Sequence, residues 1–569
     1  MARLDRLATA RDVAQTGAVL GREFSYELLR AVSPVEEPSL QQALAKLVDA
    51  GVLYQRGLPP QARYIFKHAL IQDAAYQSLL KSRRLQYHQQ IAQVLEERFT
   101  EAKETQPELL AHHYTEAGLA EQAIPYWQRA GQRATQHSAY MEAISHLTRG
   151  LELLRTLPET LGRVQQELAL QGALGPALMI TKGHGAPEVE QVYIRARELC
   201  QQLGETPQLF SVLCGLSVVY SLRAELRTAR ELGERILTLA QHAQNPSLLL
   251  EAHHTLWMSL FYLGELTTAR VHLEQGVTLY DPHQPPFTGF LYLGDDPGVC
   301  CRVYTARALW HLGYPNQAVK AAHEALALAQ ELSQPFSLAY ALDFTAVVHQ
   351  LRREGQAAQE RAEAVLTLAA EQGFSHWLAW GTILRGWALA EQGQGEEGIA
   401  QMRQGLAATR TAGQELGRPW VLALLAEAYG KVGQVEEGLR VLAEALAVSD
   451  STGERVYEAE LYRLMGELTL QKLSVISSQL SVPNTRHLTP NTQEAEACFL
   501  KAIEIARKQQ AKSLELRAVA SLARLWQQQG KRLEAHTLLA EIYGWFTEGF
   551  DTKDLQEAKT LLDSLVSSV

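Results

Sequence analysis

From about residue 107 onward, apolar positions recur at i, i+3, i+4 and i+7, in paired segments divided by a glycine. Leu422, Leu425, Ala426 and Tyr429 make one such stripe, and Leu439, Leu442, Ala443 and Leu446 make the next. This spacing gathers side chains on one face of a helix. A small residue follows each turn glycine by five positions: Gly118 and Ala123, Gly264 and Ala269, Gly313 and Ala318, Gly393 and Gly398, Gly433 and Gly438, Gly530 and Ala535. Small residues also stand seven positions before the turn, at Ala111, Ala306, Gly386, Ala426 and Ala523. Others stand twelve after it, at Ala130, Gly276, Ala325, Gly405 and Ala445. Two helices approach closely only where side chains are small, so each unit is predicted to be an antiparallel helical hairpin and the chain to be all-α.

This small-residue grammar resembles the tetratricopeptide repeat, but with a longer step than that family's roughly 34 residues. Gly393 to Gly433 is 40 residues and Gly313 to Gly355 is 42. A hairpin of this kind cannot bury its apolar face alone, so neighbours must stack. The predicted product is a right-handed tetratricopeptide-like α-solenoid of about 40-residue hairpins, with a concave surface that takes a protein partner. Two stretches interrupt the pattern. The run DPHQPPFTGFLYLGDDPG after Tyr280 is dense in Pro and Gly and predicts a long loop between repeats. The run from Lys472 to Thr492, polar and β-branched, predicts an inserted mobile loop.

The first hundred residues follow another pattern. Segments 4–16, 23–31 and 37–50 have helical periodicity. VLYQR and RYIFK then pair across a GLPPQ turn, and a helix follows from His68 to Leu80. Three helices and a hairpin predict a small winged-helix-like module. The domain reading is therefore 1–100 for this module, 101–471 for the repeats, 472–492 for the insertion, and 493–569 for the terminal repeats with a capping helix.

Composition narrows the partners. The 63 acidic and 53 basic residues give a net charge of −10, a field that draws in neither nucleic acid nor an anionic membrane. The basic run KSRR at 81–84 is the one feature near the winged-helix-like segment that suits phosphate contact, and an internal docking module is the better reading. Five cysteines, without a C-x-x-C pair, suggest neither a zinc knuckle nor a disulfide framework and fit a reducing cytoplasm. No stretch of about 18 uninterrupted apolar residues occurs, so no membrane insertion is expected.

Candidate chemistry is sparse, and no catalytic, metal or cofactor site is expected. His112–His113 and His253–His254 are adjacent pairs, and helix neighbours point about 100° apart, so neither pair makes one metal face. Arg302 beside Cys300–Cys301 favours a thiolate, against the commoner role of a buried packing cysteine. TKGHGAPE at 181–188 lacks the strand before it and the Lys-Ser/Thr after it that a phosphate loop requires, and reads as an interhelical loop. Trp310, Trp377, Trp380, Trp387 and Trp420 concentrate in the middle repeats. They are candidates both for core and for an interaction surface, where tryptophan anchors are common.

Five stretches carry a wider resemblance. GAVLGREFSYELL (17–29) and YIFKHALIQDAAYQSLL (64–80) resemble the region just after the nucleotide-binding core of bacterial STAND-type ATPases. DDPGVCCRVYTARALWHLGYPNQA (295–318), GWALAEQGQGEEGIAQMRQGL (386–406) and the long stretch 515–562 resemble the C-terminal arm of bacterial proteins that join a class III adenylate/guanylate cyclase, an AAA-type ATPase and a tetratricopeptide-like array. The chain has no G-x-x-x-x-G-K-[ST]. The family's cyclase and P-loop domains would lie upstream of Met1. The resemblance implies a non-catalytic regulatory arm whose partner is a P-loop ATPase or cyclase polypeptide. A fragment of a multidomain cyclase, or a transcriptional regulator using the winged helix, are the other readings.

Overall fold

The structure is a computed structural model that describes residues 8–183, 185–204, 208–283, 296–480 and 489–566. Among these residues it holds 28 helices and one small sheet, an all-α repeat fold of the tetratricopeptide-like kind. It divides into two compact units. The first comprises residues 1–177 with 199–204, and the second 178–198 with 205–569.

In the first unit, helices Ala8–Leu20, Tyr26–Val32 and Glu37–Asp49 pack with a three-stranded antiparallel sheet of order β1-β3-β2, where β1 is Glu23–Ser25, β2 Leu53–Arg56 and β3 Arg63–Phe66. Residues 23–25 were expected to begin a helix. Instead Phe24 pairs with Tyr64, and Ser25 turns the chain, its Oγ accepting from the Leu28 amide at 3.2 Å. A serine that satisfies an orphan amide of the first turn is an N-cap, so the helix starts at Tyr26. One apolar core runs from Ala10 through Ile91 and Leu95 to Tyr126, joining these elements to helix Lys81–Arg98 and the first repeat hairpin. Lys81–Arg84 open that helix, and the Arg84 guanidinium lies over the Tyr76 ring at 5.1 Å.

In the second unit, the hairpin turns from Ala224 to Gly433 follow at a step of 40 residues, lengthened to 49 between Gly264 and Gly313. Turn residues with positive φ stand at Ala224, Gly264, Gly313, Arg353, Gly393 and Gly433. The turn expected at Gly355 is therefore at Arg353 (φ 63°), and Gly355 is the first residue of helix Gly355–Gln372. In helix Val435–Thr452 the buried positions are Val435, Gly438, Val441, Leu442, Ala445 and Ser449, so Leu439, Ala443 and Leu446 stand off the expected face. The small residue at 438 fixes this face, because it must meet the backbone of the partner helix at Ala426.

The expected insertion at 472–492 is largely helical: helix Glu458–Leu480 runs into it, and helix Thr489–Gln509 begins within it. No Gly or Pro falls between Lys472 and Leu480 to stop the first helix; residues 481–488 lie outside the described residues. Most of the Pro/Gly-rich run after Tyr280, residues 284–295, also lies outside them. Asp296 then caps helix Pro297–His311, accepting from the Val299 amide at 3.0 Å.

The first helix of each hairpin packs on its partner and also on the first helix of the next hairpin, from Gln208–Leu222 through to Lys553–Val566. These inner helices wind until one turn of the superhelix touches the next. Leu222 O accepts from the amides of Glu415 and Leu416, and Tyr262 O from that of Arg455. Ser513 Oγ donates to Trp310 O at 2.5 Å, Arg352 pairs with Asp551 at 3.1 Å and Arg353 with Asp554 at 3.2 Å, contacts between residues 199 to 203 apart. Inner helices are consequently buried nearly all round, as Pro297–His311 is, while outer helices keep one solvated face.

A candidate ligand cavity on the inner face

Because successive turns touch, the inner face of the second unit is drawn in around two chambers that share Trp420 and Tyr457 as a wall. The first has a volume of about 820 Å³ including its mouth. Its walls are aromatic. Trp380 stacks on Trp420 with centroids 5.9 Å apart, Trp420 on Tyr457 at 6.0 Å, and Tyr340 on Phe344 at 4.7 Å. Trp377 meets Phe336 and Tyr340 edge-on.

Arg307 is set into this lining. Helix Pro297–His311 carries it inward, where it is 3 % exposed, and its guanidinium lies 4.4 Å from the Phe261 centroid and 5.1–5.2 Å from those of Tyr262, Tyr304 and Phe344. Cation–π contacts of this kind grow stronger away from water. Its Nη1 donates to Tyr262 Oη at 3.1 Å and its Nη2 to Tyr457 Oη at 3.0 Å, so both bonds go to phenols and not to carboxylates. Its Nε has no hydrogen-bond partner among the described residues, nor has Oδ1 of Asp343, an acid on the same lining that is also 3 % exposed. Burial pushes the Asp343 carboxyl up to about 8, against a smaller pull downward from Arg307. Glu454, behind Gly417, is likewise raised to about 8 by burial, although Gly417 N donates to it at 3.1 Å.

The second chamber is ionic, and its charges answer one another. Arg463 pairs with Glu460 at 2.8 Å, Arg517 with Asp554 at 2.7 Å, Arg353 with Glu557 at 3.1 Å and Arg524 with Glu557 at 3.1 Å, while Ser521 donates to Glu467 at 2.5 Å. Burial alone would raise Glu460, but Arg463 and Arg517 hold it down at about 2. Of these pairs, Arg353–Glu557 ties one turn of the superhelix to the next, and the others lie within one helix or between neighbouring hairpins.

The positions expected from sequence are shared between the hairpin turns and the chambers. Gly118, Gly264, Gly313, Gly393, Gly433 and Gly530 all take positive φ between the helices of a hairpin. Ala123, Ala269, Ala318 and Ala535 are fully buried in the second helix, as are Gly398 and Gly438. Trp377, Trp380 and Trp420 line the aromatic chamber, Trp387 and Trp420 the ionic one, and Trp310 lies beneath Arg517 at 4.8 Å. Trp310, Trp377, Trp387 and Trp420 are buried. Arg307 and Asp343 escaped sequence reading; for Asp343 the signal was a lone acid inside the apolar stretch ALDFTAVV.

The remaining motifs have local explanations. His113 meets His88 (Nδ1 to Nδ1, 2.8 Å) and the His112 ring packs edge-on against the same imidazole at 5.8 Å, while His253 meets His272 at 2.8 Å and His254 stacks on Trp257. Burial lowers His88 and His253 to about 4. Burial pushes the Cys301 thiol up to about 12 despite Arg302. In the 181–188 segment, Gly185 comes so close to Gly413 that a Cβ would sit 2.3 Å from its carbonyl oxygen, which explains a glycine there without a phosphate. Among the described residues no helix is long and apolar enough to cross a membrane.

No family model matches the chain. Over 431 residues it is 26% identical to an uncharacterised protein of Rhizobium meliloti (strain 1021), a match that covers 75% of this chain and 42% of the relative. The chain thus spans about two-fifths of the length of that curated relative. Among solved structures, a Rap protein complexed with competence and sporulation factor is similar at TM-score 0.49 and 11% identity, over 68% of this chain and 98% of that one. A signal transduction ATPase with numerous domains and a tetratricopeptide repeat sensor, from Pyrococcus horikoshii, is similar at TM-score 0.40 and 10% identity, over 89% and 65%.

Proposed function

We propose that the chain is a non-catalytic sensor and scaffold arm of a signalling ATPase or cyclase system. In this reading the repeats of 101–471 and 493–569 hold a ligand at their axis and present their outer faces to a protein partner. The winged-helix-like segment of 1–100 docks onto a P-loop ATPase or cyclase polypeptide. The observation that carries it is the aromatic chamber in which Arg307 and Asp343 are buried with polar atoms unpartnered. Buried polar groups are normally satisfied, and exceptions concentrate where a ligand or a function requires them. The motif resemblance along 17–29, 64–80 and 515–562 supports the choice of partner.

Two measurements test the proposal. The purified chain is expected neither to hydrolyse ATP nor to form cyclic nucleotide, and robust turnover of either kind by the isolated chain would sink it. Mild crosslinking in the native cell, followed by affinity purification, is expected to recover a P-loop ATPase or cyclase polypeptide; recovery of unrelated proteins alone leaves a free-standing scaffold. The match that covers only 42% of the curated relative gives a specific reason for a second reading, in which this arm belongs to a longer multidomain cyclase.

A further inference from the structure

If the aromatic chamber is the sensing site, a reading on which this inference rests, its chemistry also narrows the class of ligand. Arg307 brings a permanent charge into a space walled by rings. Its two phenol bonds use only part of a guanidinium's five donors. The Nε edge is unpartnered, and an Nε–H with a neighbouring Nη–H forms the fork that a carboxylate accepts in two parallel bonds. Asp343, on the next inner helix, faces the same space, and its burial keeps the proton on at neutral pH. A carboxyl that holds its proton is a donor to an arriving anion and does not repel it. The ionic chamber next door offers no such opening, since its arginines are already paired with acids.

We infer that this chamber takes a small organic monocarboxylate on a flat apolar body, its carboxylate held by Arg307 with Asp343 and its body among Trp377, Trp380 and Trp420. An ammonium at the same place meets the like charge of Arg307, and a neutral amide loses the charge-assisted bonds. The same carboxylate chemistry is offered by a free aryl-alkanoic acid and by the C terminus of a peptide that ends in an aromatic residue.

The test is a titration of the full chain, followed by tryptophan fluorescence and calorimetry, with 3-phenylpropanoate, 3-phenylpropanamide and 3-phenylpropylamine. Saturable binding of the acid, roughly tenfold or more tighter than the amide and the amine, is expected. Equal or tighter binding of the amide or amine, or no saturable binding of the acid, overturns the inference. An acetylated dipeptide ending in Phe, with free or amidated C terminus, separates the sources. Binding of the free-carboxylate form identifies a peptide end as a ligand, and its exclusion identifies the free acid. Arg307→Lys keeps the charge and removes the fork, and is expected to weaken the acid selectively; Asp343→Leu removes the second donor to the anion together with an unsatisfied buried polar atom, and is expected to weaken the acid without loss of stability. The wild-type comparison decides even where Arg307→Lys fails to fold. Capture of an ATPase partner without carboxylate binding overturns this inference and leaves the arm reading standing, and carboxylate binding without partner capture does the reverse.

Discussion

At Asp343, burial disfavours the charged carboxylate more than Arg307 favours it, so the folded chain keeps a proton there up to about pH 8, while an unfolded aspartate loses it near pH 4. Between these values the native state binds more protons than the unfolded one, and stability falls as pH rises. His253 and His311 act in the opposite sense: burial lowers them to about 4 and about 3, below the unfolded value of about 6.5. Stability is therefore lost as pH falls below about 6.5. Urea unfolding at pH 5, 6.5 and 8 is expected to show a maximum near the middle value. In Asp343→Asn the decline from pH 6.5 to 8 shrinks by an amount on the order of 1–2 kcal/mol; an unchanged decline would mean that Asp343 is already ionised in the fold. None of this was legible in the sequence, where an aspartate in ALDFTAVV is one charge in an apolar helix. Turn residues were legible where they are glycine and lost where Ala224 and Arg353 take the same positive φ. At 353 the side chain explains the exception, because an arginine there reaches Asp554 and Glu557.

Hairpins were readable as elements because the closest helix approach writes itself into the sequence as a small residue. At Gly398 an added Cβ would lie 2.4 Å from Gly386 O and 2.8 Å from Ala390 N, both of them backbone atoms that cannot swing aside. Helix propensity favours alanine over glycine by up to about 1 kcal/mol, so the sign of a substitution separates the two effects. Gly398→Ala is expected to destabilise by about 2 kcal/mol despite the propensity gain. Gly172→Ala, in helix Leu161–Lys182 with nothing within 4 Å of the new Cβ, is expected to stabilise slightly. Chemical denaturation of both variants checks the pair, and a stabilising Gly398→Ala would refute the close-approach account. Elements were misread where composition imitated another state. The polar, β-branched stretch 472–480 continues a helix, and Glu23–Ser25 forms a strand because β3 offers it partners from forty residues away, which no local window contains.

The winding of the second unit was not legible at all, because it depends on groups about two hundred residues apart whose pairing leaves no periodic trace. Arg517 is the clearest of them. It lies over Trp310 at 4.8 Å, donates to Leu351 O at 2.6 Å, pairs with Asp554 at 2.7 Å and reaches Glu460 at 3.5 Å, so that one side chain touches four inner helices besides its own. A largely enclosed arginine with these partners is costly to remove, since Asp554 loses its nearest partner. Arg517→Ala is expected to cost on the order of 3 kcal/mol. If the turns are cooperative, the loss will not stay local. Hydrogen exchange should accelerate through helix Lys512–Gln528 and through the facing helices Pro297–His311 and Pro335–Leu351, while helices Ala8–Leu20 and Lys81–Arg98 of the first unit keep their protection. The aromatic chamber draws Arg307 from one turn and Tyr457 from the next, so the same substitution should weaken carboxylate binding although Arg517 is not on that chamber's lining. Faster exchange confined to residues around 517, with binding intact, would mean that the turns rest on one another without coupling. A widespread response would make a ligand at the axis able to tighten the winding, and with it the spacing of the outer faces that a partner reads.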